Sequence, residues 1–296
     1  MITLASGLSY VDLNFLAVPR IIATVVLHGP GGAALIDPGP SSTLPTLGTE
    51  LDRAGIAVAD VRAILLTHIH LDHAGATGTL VRANPALRVY VHEKGAPHLV
   101  DPGKLIASAT RLWGEFRPVP AGNLVVVAGG ERIPAGGRDL EVAYTPGHAS
   151  HHVSFFDADS GIAFVGDTAG IRLLAGGYVM PPTPPPDVDL EAWRESFARI
   201  DRWRAGTIFA THFGPHAPVA AHLTEMADHL ELTSGLVKAS LARPGSDEMR
   251  EAWFADRIRL DLRRRMSESD AQAYEVAGRL DLSWRGLARY WRKKEL

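Results

Sequence analysis

Thr67-His68-Ile69-His70-Leu71-Asp72-His73 is the stretch on which the reading of this chain turns. It follows the aliphatic run Ala63–Leu66 directly, so it begins where a short buried strand ends. Imidazoles and carboxylates crowded this closely suit neither a strand nor a helix interior. Gathering them near a core also raises their desolvation cost unless something cationic offsets it. His68 and His70 are two apart and can point the same way, while Asp72 and His73 can wrap round from the following turn. Neutral imidazole and carboxylate suit zinc, with iron or manganese also compatible. The chain has no cysteine, which excludes thiolate zinc sites, disulfide scaffolds and Cys nucleophiles. Any metal is therefore bound through nitrogen and oxygen.

Three further places share this design. Thr145-Pro146-Gly147-His148 follows the strand-like run Leu140–Tyr144, Gly166-Asp167 follows Ile162–Val165, and Thr211-His212 follows Thr207–Ala210. Each puts a ligand-capable side chain just past a buried strand, where open α/β sheets gather functional groups. One such residue alone reads as an ordinary loop residue; their common placement points to one site.

The rest of the chain supplies the scaffold. Ile21–Leu27 and Ala33–Ile36 read as a hairpin around Gly29–Gly32, and Leu44–Ala54 as a helix closed by Gly55. Gly78–Asn84 ends a helix before Pro85, Arg88–His92 and His152–Phe156 are strands, and Asp157–Gly161 is a hairpin turn. Tyr178–Asp189 is too rich in proline for a helix or central strand and reads as a stiff loop. Leu190, Trp193, Phe197 and Ile200 then recur at helical spacing. After Pro218 the pattern is helical, with Leu223, Met226 and Leu230 on one stripe and later helices at Ile258–Met266 and Leu287–Trp291. The expected division is a metal-binding α/β domain over residues 1–217 and a helical extension over 218–296.

With 296 residues, 46% of them apolar, the chain can bury a sizeable core. A net charge of −3 gives no general attraction to nucleic acid or anionic membrane. Met1–Tyr10 lacks the basic and apolar regions of a secretory signal, and the longest apolar runs are strand-length. The expectation is a cytoplasmic protein that acts on a small molecule, with a homo-oligomer left open.

The pattern H-x-H-x-D-H, followed by a distant His, Asp and His in that order, resembles the metallo-β-lactamase superfamily over roughly residues 21–215. The resemblance implies an αββα sandwich, here with a helical C-terminal extension. It implies two metal ions, with His68, His70 and His148 on one, Asp72, His73 and His212 on the other, and Asp167 bridging. Asp37, in Ile36-Asp37-Pro38-Gly39, matches a family position that orients a ligand histidine.

Such a pair of ions, expected to be zinc with iron or manganese as alternatives, lowers the pKa of a bridging water and makes hydroxide available near neutral pH. The implied activity is hydrolysis of an ester, thioester or lactone, with Asp72 positioning the hydroxide or moving a proton. Absence of Cys and presence of Asp167 argue against antibiotic hydrolysis and toward glyoxalase-II-like thioesterases and lactonases. Competing readings on the same fold are a mononuclear iron persulfide dioxygenase, a flavodiiron-type electron carrier, and a nuclease or phosphodiesterase. The basic tail Arg285, Arg289, Arg292, Lys293 and Lys294 is the one hint of a nuclease, and it also suits a solvated helix face. Of the other histidines, at most one of His151 and His152 is expected to face the site, and His216, close to His212, is expected to be structural, with substrate contact as the lesser alternative. His28, His92, His98, His222 and His229 are expected to be structural or exposed. Tyr178, Trp113 and Phe213 are candidate pocket walls.

Overall fold

The protein is described by a computed structural model over residues 1–103 and 113–294. The strands β1 (Ile2–Ala5), β2 (Leu8–Asp12), β3 (Ala23–Gly29), β4 (Gly32–Ile36), β5 (Val61–Leu65), β6 (Arg88–His92) and β7 (Leu124–Val127) pair in chain order into one sheet. A second sheet holds β8 (Arg132–Ala135), β9 (Arg138–Tyr144), β10 (Val153–Asp157), β11 (Ile162–Phe164), β12 (Thr207–Ala210) and β13 (Gly214–His216), also in chain order across its width.

Strand alternation explains why the sheets face each other. On β5, Ala63 and Leu65 enter a core shared with Val153, Phe155, Phe164 and Phe209 of the second sheet. Ile64 and the following Leu66 belong instead to the core beneath the helices. The same alternation runs along β4, where Ala34 and Ile36 face the other sheet and Ala33 and Leu35 face the helices. The outcome is the αββα sandwich.

Helices join the parallel strands. The helix α1 (Leu44–Arg53) carries the chain from β4 to β5, burying Leu47 and Leu51 one turn apart and ending before Gly55, whose φ is +71°. The short α2 (Leu71–Ala74) and α3 (Thr77–Ala83) carry it from β5 to β6, and α4 (Ala96–Val100) follows β6. Asp189 caps α5 (Leu190–Arg202), accepting the Ala192 N–H at 3.0 Å, and Leu190, Trp193, Phe197 and Ile200 are buried as the spacing predicts.

Beyond Pro218 come α6 (Val219–Leu241), α7 (Asp247–Arg265), α8 (Glu268–Gly278) and α9 (Leu280–Lys294). Ser246 and Ser267 cap the middle two through Met249 and Asp270 N–H groups. These helices seat the proline-rich loop. Tyr274 Oη donates to the Tyr178 carbonyl at 2.6 Å, and Thr183 Oγ1 to the Ser283 carbonyl at 3.2 Å. Gly286 has no room for a side chain, because a Cβ there would stand 2.0 Å from the Thr183 oxygen. Met226, Tyr274 and Leu287 share one apolar cluster with Trp193 of α5. In the basic tail, Arg285, Arg292 and Lys294 are paired with Glu251, Asp247 and Glu191 at 2.9, 2.7 and 3.0 Å. Those cations are therefore partnered within the helical layer.

Expected strand boundaries shift by at most two residues, and β6 and β12 keep the expected spans Arg88–His92 and Thr207–Ala210. The strand expected over Ile21–Leu27 runs Ala23–Gly29, because the Ile21 carbonyl turns to accept from the His212 ring. No helix among the described residues is long and apolar enough to cross a membrane.

Candidate metal centre

The C-terminal ends of β4 and β5, which are parallel, open on one edge of the first sheet. Those of β9, β11 and β12 share one direction and open on the second. Backbone bonds from Val153 N–H to the Thr67 carbonyl (2.8 Å) and from Ala23 N–H to the Thr211 carbonyl (2.9 Å) tie the two edges together. All seven predicted ligand residues meet there.

His68 leaves β5 in an extended segment, and α2 brings Asp72 and His73 back towards it. His148 follows β9, Asp167 sits on the 3-10 turn Gly166–Ala169 after β11, and His212 follows β12. Donor atoms of His68, His70 and His148 lie within 4.8 Å of one another, as do those of Asp72, His73 and His212. The Asp167 carboxylate lies between. Its Oδ2 is 3.3 Å from His148 Nε2, and its Oδ1 is 3.3 Å from His73 Nε2 and 3.6 Å from His212 Nε2.

Each ring is oriented from behind. His148 Nδ1–H donates to the Pro182 carbonyl at 2.8 Å and His212 Nδ1–H to the Ile21 carbonyl at 2.6 Å. His73 Nδ1–H donates to Asp37 Oδ2 at 2.8 Å. The same carboxylate accepts from Thr67 N–H (2.8 Å), Thr67 Oγ1 (2.7 Å) and Thr211 Oγ1 (2.9 Å). Asp37 is thus a junction that fixes three ligand-bearing segments. It adopts a left-handed backbone, φ +51°, which Asp tolerates better than most residues. Because the Thr67 hydroxyl donates to Asp37, its oxygen accepts from His68 Nδ1–H at 3.1 Å.

These bonds leave bare nitrogens facing inward. Nε2 of His68 and of His148 each lie 2.9 Å from Nδ1 of His70. Both Nε2 atoms carry lone pairs, so a single hydrogen on His70 satisfies only one of them. Among the described residues, His73 Nε2 and Asp167 Oδ1 are buried without a hydrogen-bond partner; the short distance between them lacks hydrogen-bond geometry. Converging, unsatisfied nitrogen and oxygen lone pairs fit divalent cations.

The electrostatics agree. Burial, then the neighbouring His73, His70 and His148, holds the His68 ring well below the ordinary imidazole range. Burial and His148 push His70 down to about 4. Burial also disfavours charge on His73, but the carboxylates of Asp167, Asp37 and Asp72 outweigh it and hold that ring well above its usual value. Burial would raise Asp72, yet His73 and a hydrogen bond with His212 bring it down to about 2. Without a cation, protons balance the carboxylates here, so metal binding releases protons.

Above the donors lies a cleft of about 190 Å³. His70, Asp72, His148, Asp167 and His212 form its floor; Trp113 and Leu71, the loop prolines Pro182, Pro184 and Pro185, and Ala277–Arg279 with Leu282 and Ser283 at the α8–α9 junction form its walls. Asp72, with 19% of its side chain exposed, is the more accessible carboxylate; Asp167 is 4% exposed.

Three candidates fall outside the cleft and take their structural alternative. Tyr178 does not line this cleft; it is buried, stacked on His229 with centroids 4.3 Å apart. Phe213 packs edge-on against Tyr10 at 5.9 Å, and His216 stacks on His222 at 4.9 Å, so neither lines the cleft. Of the three aromatic candidates, only Trp113 does. His151 and His152 are both buried beside the donors. His152 Nε2 accepts the Asp167 N–H at 3.2 Å and so supports that turn. The Pro182 and Ile21 carbonyls and the α8–α9 junction were missed by sequence reasoning. Backbone acceptors leave no residue-type signal, and the junction is distant in sequence.

Fold and donor set together define a metallo-hydrolase type of protein. The model of the metallo-beta-lactamase superfamily matches residues 17–212, and the chain belongs to that family. It is 29% identical over 239 residues to the metallo-beta-lactamase fold-containing protein ST1585 of Sulfurisphaera tokodaii, covering 76% of this chain and 86% of that protein. It is 30% identical over 154 residues to a hydroxyacylglutathione hydrolase of a Synechococcus species. That match spans 51% of this chain and about half the length (49%) of the relative. A metallo-beta-lactamase family protein from Thermus thermophilus superposes with TM-score 0.73 at 24% identity, covering 99% of this chain and 95% of that one.

Proposed function

We propose that the chain is a dinuclear metal-dependent hydrolase of a small ester, thioester or lactone. His68, His70 and His148 would hold one ion, Asp72, His73 and His212 the other, with Asp167 between them. The observation that carries this reading is the set of inward lone pairs on these side chains, including the unpartnered His73 Nε2 and Asp167 Oδ1. Two divalent ions there, zinc by preference, would supply a hydroxide nucleophile near neutral pH and stabilise a developing oxyanion.

The chain's own residues do the rest. The Pro182 and Ile21 carbonyls and Asp37 fix ring orientation before substrate arrives. Asp72 lines the cleft and stays ionised near neutral pH, so it can accept a hydrogen bond from an attacking water at a carboxylate oxygen. Trp113, Leu71, Leu282 and the prolines exclude solvent and favour a compact substrate with apolar parts. The similarity to hydroxyacylglutathione hydrolases supports thioester and ester chemistry.

The test is anaerobic. Zinc-loaded protein is expected to cleave a member of a small ester, thioester, lactone and phosphodiester panel, and His68→Ala to lose that activity. Oxygen uptake matched to persulfide loss in the iron form, with no anaerobic hydrolysis in the zinc form, would replace the hydrolase with a dioxygenase.

A further inference from the structure

We propose that His222, on the helix α6 outside the donor set, is a positioning residue that locks the Asp167 turn and the His212 segment together. The proposal rests on the metal reading of the site given above. His222 is buried and uses both ring nitrogens. Its Nε2–H donates to the Ala169 carbonyl at 2.8 Å, at the end of the turn that carries Asp167. Its Nδ1 accepts from Arg172 Nη1 at 3.2 Å. The backbone N–H of Arg172 in turn donates to the His212 carbonyl at 2.6 Å. One imidazole therefore holds the segment after β11 at two points, Ala169 and Arg172, and the backbone of the second is bonded to the segment after β12.

The surroundings reinforce this link. Arg172 Nη2 is paired with Glu225 Oε2 at 3.1 Å, so the guanidinium is anchored to α6 at a second point. Met226, one turn after His222, packs against Gly170, where a Cβ would stand 2.6 Å from its sulfur. Trp193 Nε1–H holds the adjacent Thr168 carbonyl at 2.8 Å from the α5 side. The Asp167 turn is thus gripped by two helices, and His222 braces it at both Ala169 and the Arg172 side chain, next to the Arg172 backbone N–H that holds the His212 carbonyl. Because an Arg side chain only donates, His222 Nδ1 must accept, which fixes the ring's tautomer and leaves Nε2–H for Ala169. Asp167 and His212 lie on opposite sides of the 3.6 Å gap that a shared ion would close, so their relative placement matters most for the ion held with Asp72 and His73.

The experiment measures zinc binding to the whole chain by chelator competition, together with the absorption spectrum of the cobalt-substituted protein. The wild-type chain is expected to hold two ions. His222→Ala is expected to keep the first ion and to hold the second roughly 10- to 100-fold more weakly, the range for losing a residue that orients a ligand. The cobalt bands should shift with it. His222→Gln, whose amide can donate to Ala169 and accept from Arg172, should restore most of the affinity and the spectrum. Unchanged affinity for both ions and an unchanged spectrum in His222→Ala, even with lowered thermal stability, would show a purely structural residue and overturn the proposal. If His222→Ala does not fold, Arg172→Met carries the test: it cuts the link to His222 and should weaken the same ion, and unaltered zinc binding overturns the proposal. A wild-type chain that binds no metal overturns the reading of the site and this proposal with it.

Discussion

Replacing Asp37 by Asn tests the most connected residue behind the donor set without changing its shape. Its carboxylate accepts four hydrogen bonds, three at Oδ2 (Thr67 Oγ1, His73 Nδ1 and Thr211 Oγ1) and one at Oδ1 (Thr67 N–H). An Asn amide that keeps its oxygen at the three-donor end must point its NH2 at the Thr67 N–H. That bond becomes a donor facing a donor, and the other three lose the help of a full charge. A hydrogen bond to a charged group contributes roughly 1.5–3 kcal/mol, and a buried unsatisfied donor costs about 1–3 kcal/mol. Together they suggest a loss of roughly 3–5 kcal/mol, since the terms overlap. For a chain of 296 residues this corresponds to a fall in Tm of roughly 5–8 °C. The assay is thermal unfolding of metal-free protein, followed by zinc titration, where a weakening of about 10- to 100-fold is expected because His73 loses its orienting partner. Wild-type Tm and wild-type zinc affinity in Asp37→Asn would refute the reasoning.

Burial first, then the neighbouring His222 ring and the Arg172 guanidinium, pushes His216 down to about 3 from the usual 6.5. With the folded pKa below the unfolded one, the unfolded chain binds the extra proton in that window; the stability held by this group is complete above about 6.5 and is lost as pH falls. Metal-free His216→Gln is therefore expected to lose less Tm than wild type between about pH 7 and pH 5, and an equal loss would count against this account. Leu282 faces the cleft from α9, so Leu282→Ala should widen it and shift KM towards longer acyl chains while zinc content stays the same. Identical KM values across a chain-length series would remove the α8–α9 junction from the substrate site.

The convergence of the seven His and Asp side chains was legible because Thr67 to His73 can hardly be written for packing alone and each other member stands just past a buried strand. The buried strands were legible for a similar reason, since β5 and β12 are short aliphatic runs with a ligand residue just after each. The four edge strands β1, β7, β8 and β13 went unread, being brief and dependent on a neighbour for pairing rather than on a local pattern, and so did the buried β2, whose Ser9 and Asp12 interrupt its apolar run. The cleft walls were only half legible. Proline content marked the loop over residues 178–189, but Tyr178 and Met180 turn inward to the helices while Pro182, Pro184 and Pro185 face the donors. Which side of an irregular loop meets the site is decided by tertiary contacts such as Thr183 to Ser283, about which local sequence is silent. His222 was read only as structural or exposed, because the carbonyl it holds belongs to a turn far from it in sequence.

The central claim is that these seven side chains hold two ions, and metal content tests it most directly. Protein purified without added metal, then reconstituted with zinc and freed of excess, is to be measured by plasma emission spectrometry against protein concentration. The account predicts two zinc ions per chain, falling in Asp167→Asn, where the carboxylate between the two sets becomes neutral. Binding that saturates at one ion per chain or fewer after reconstitution with zinc, iron or manganese would contradict it.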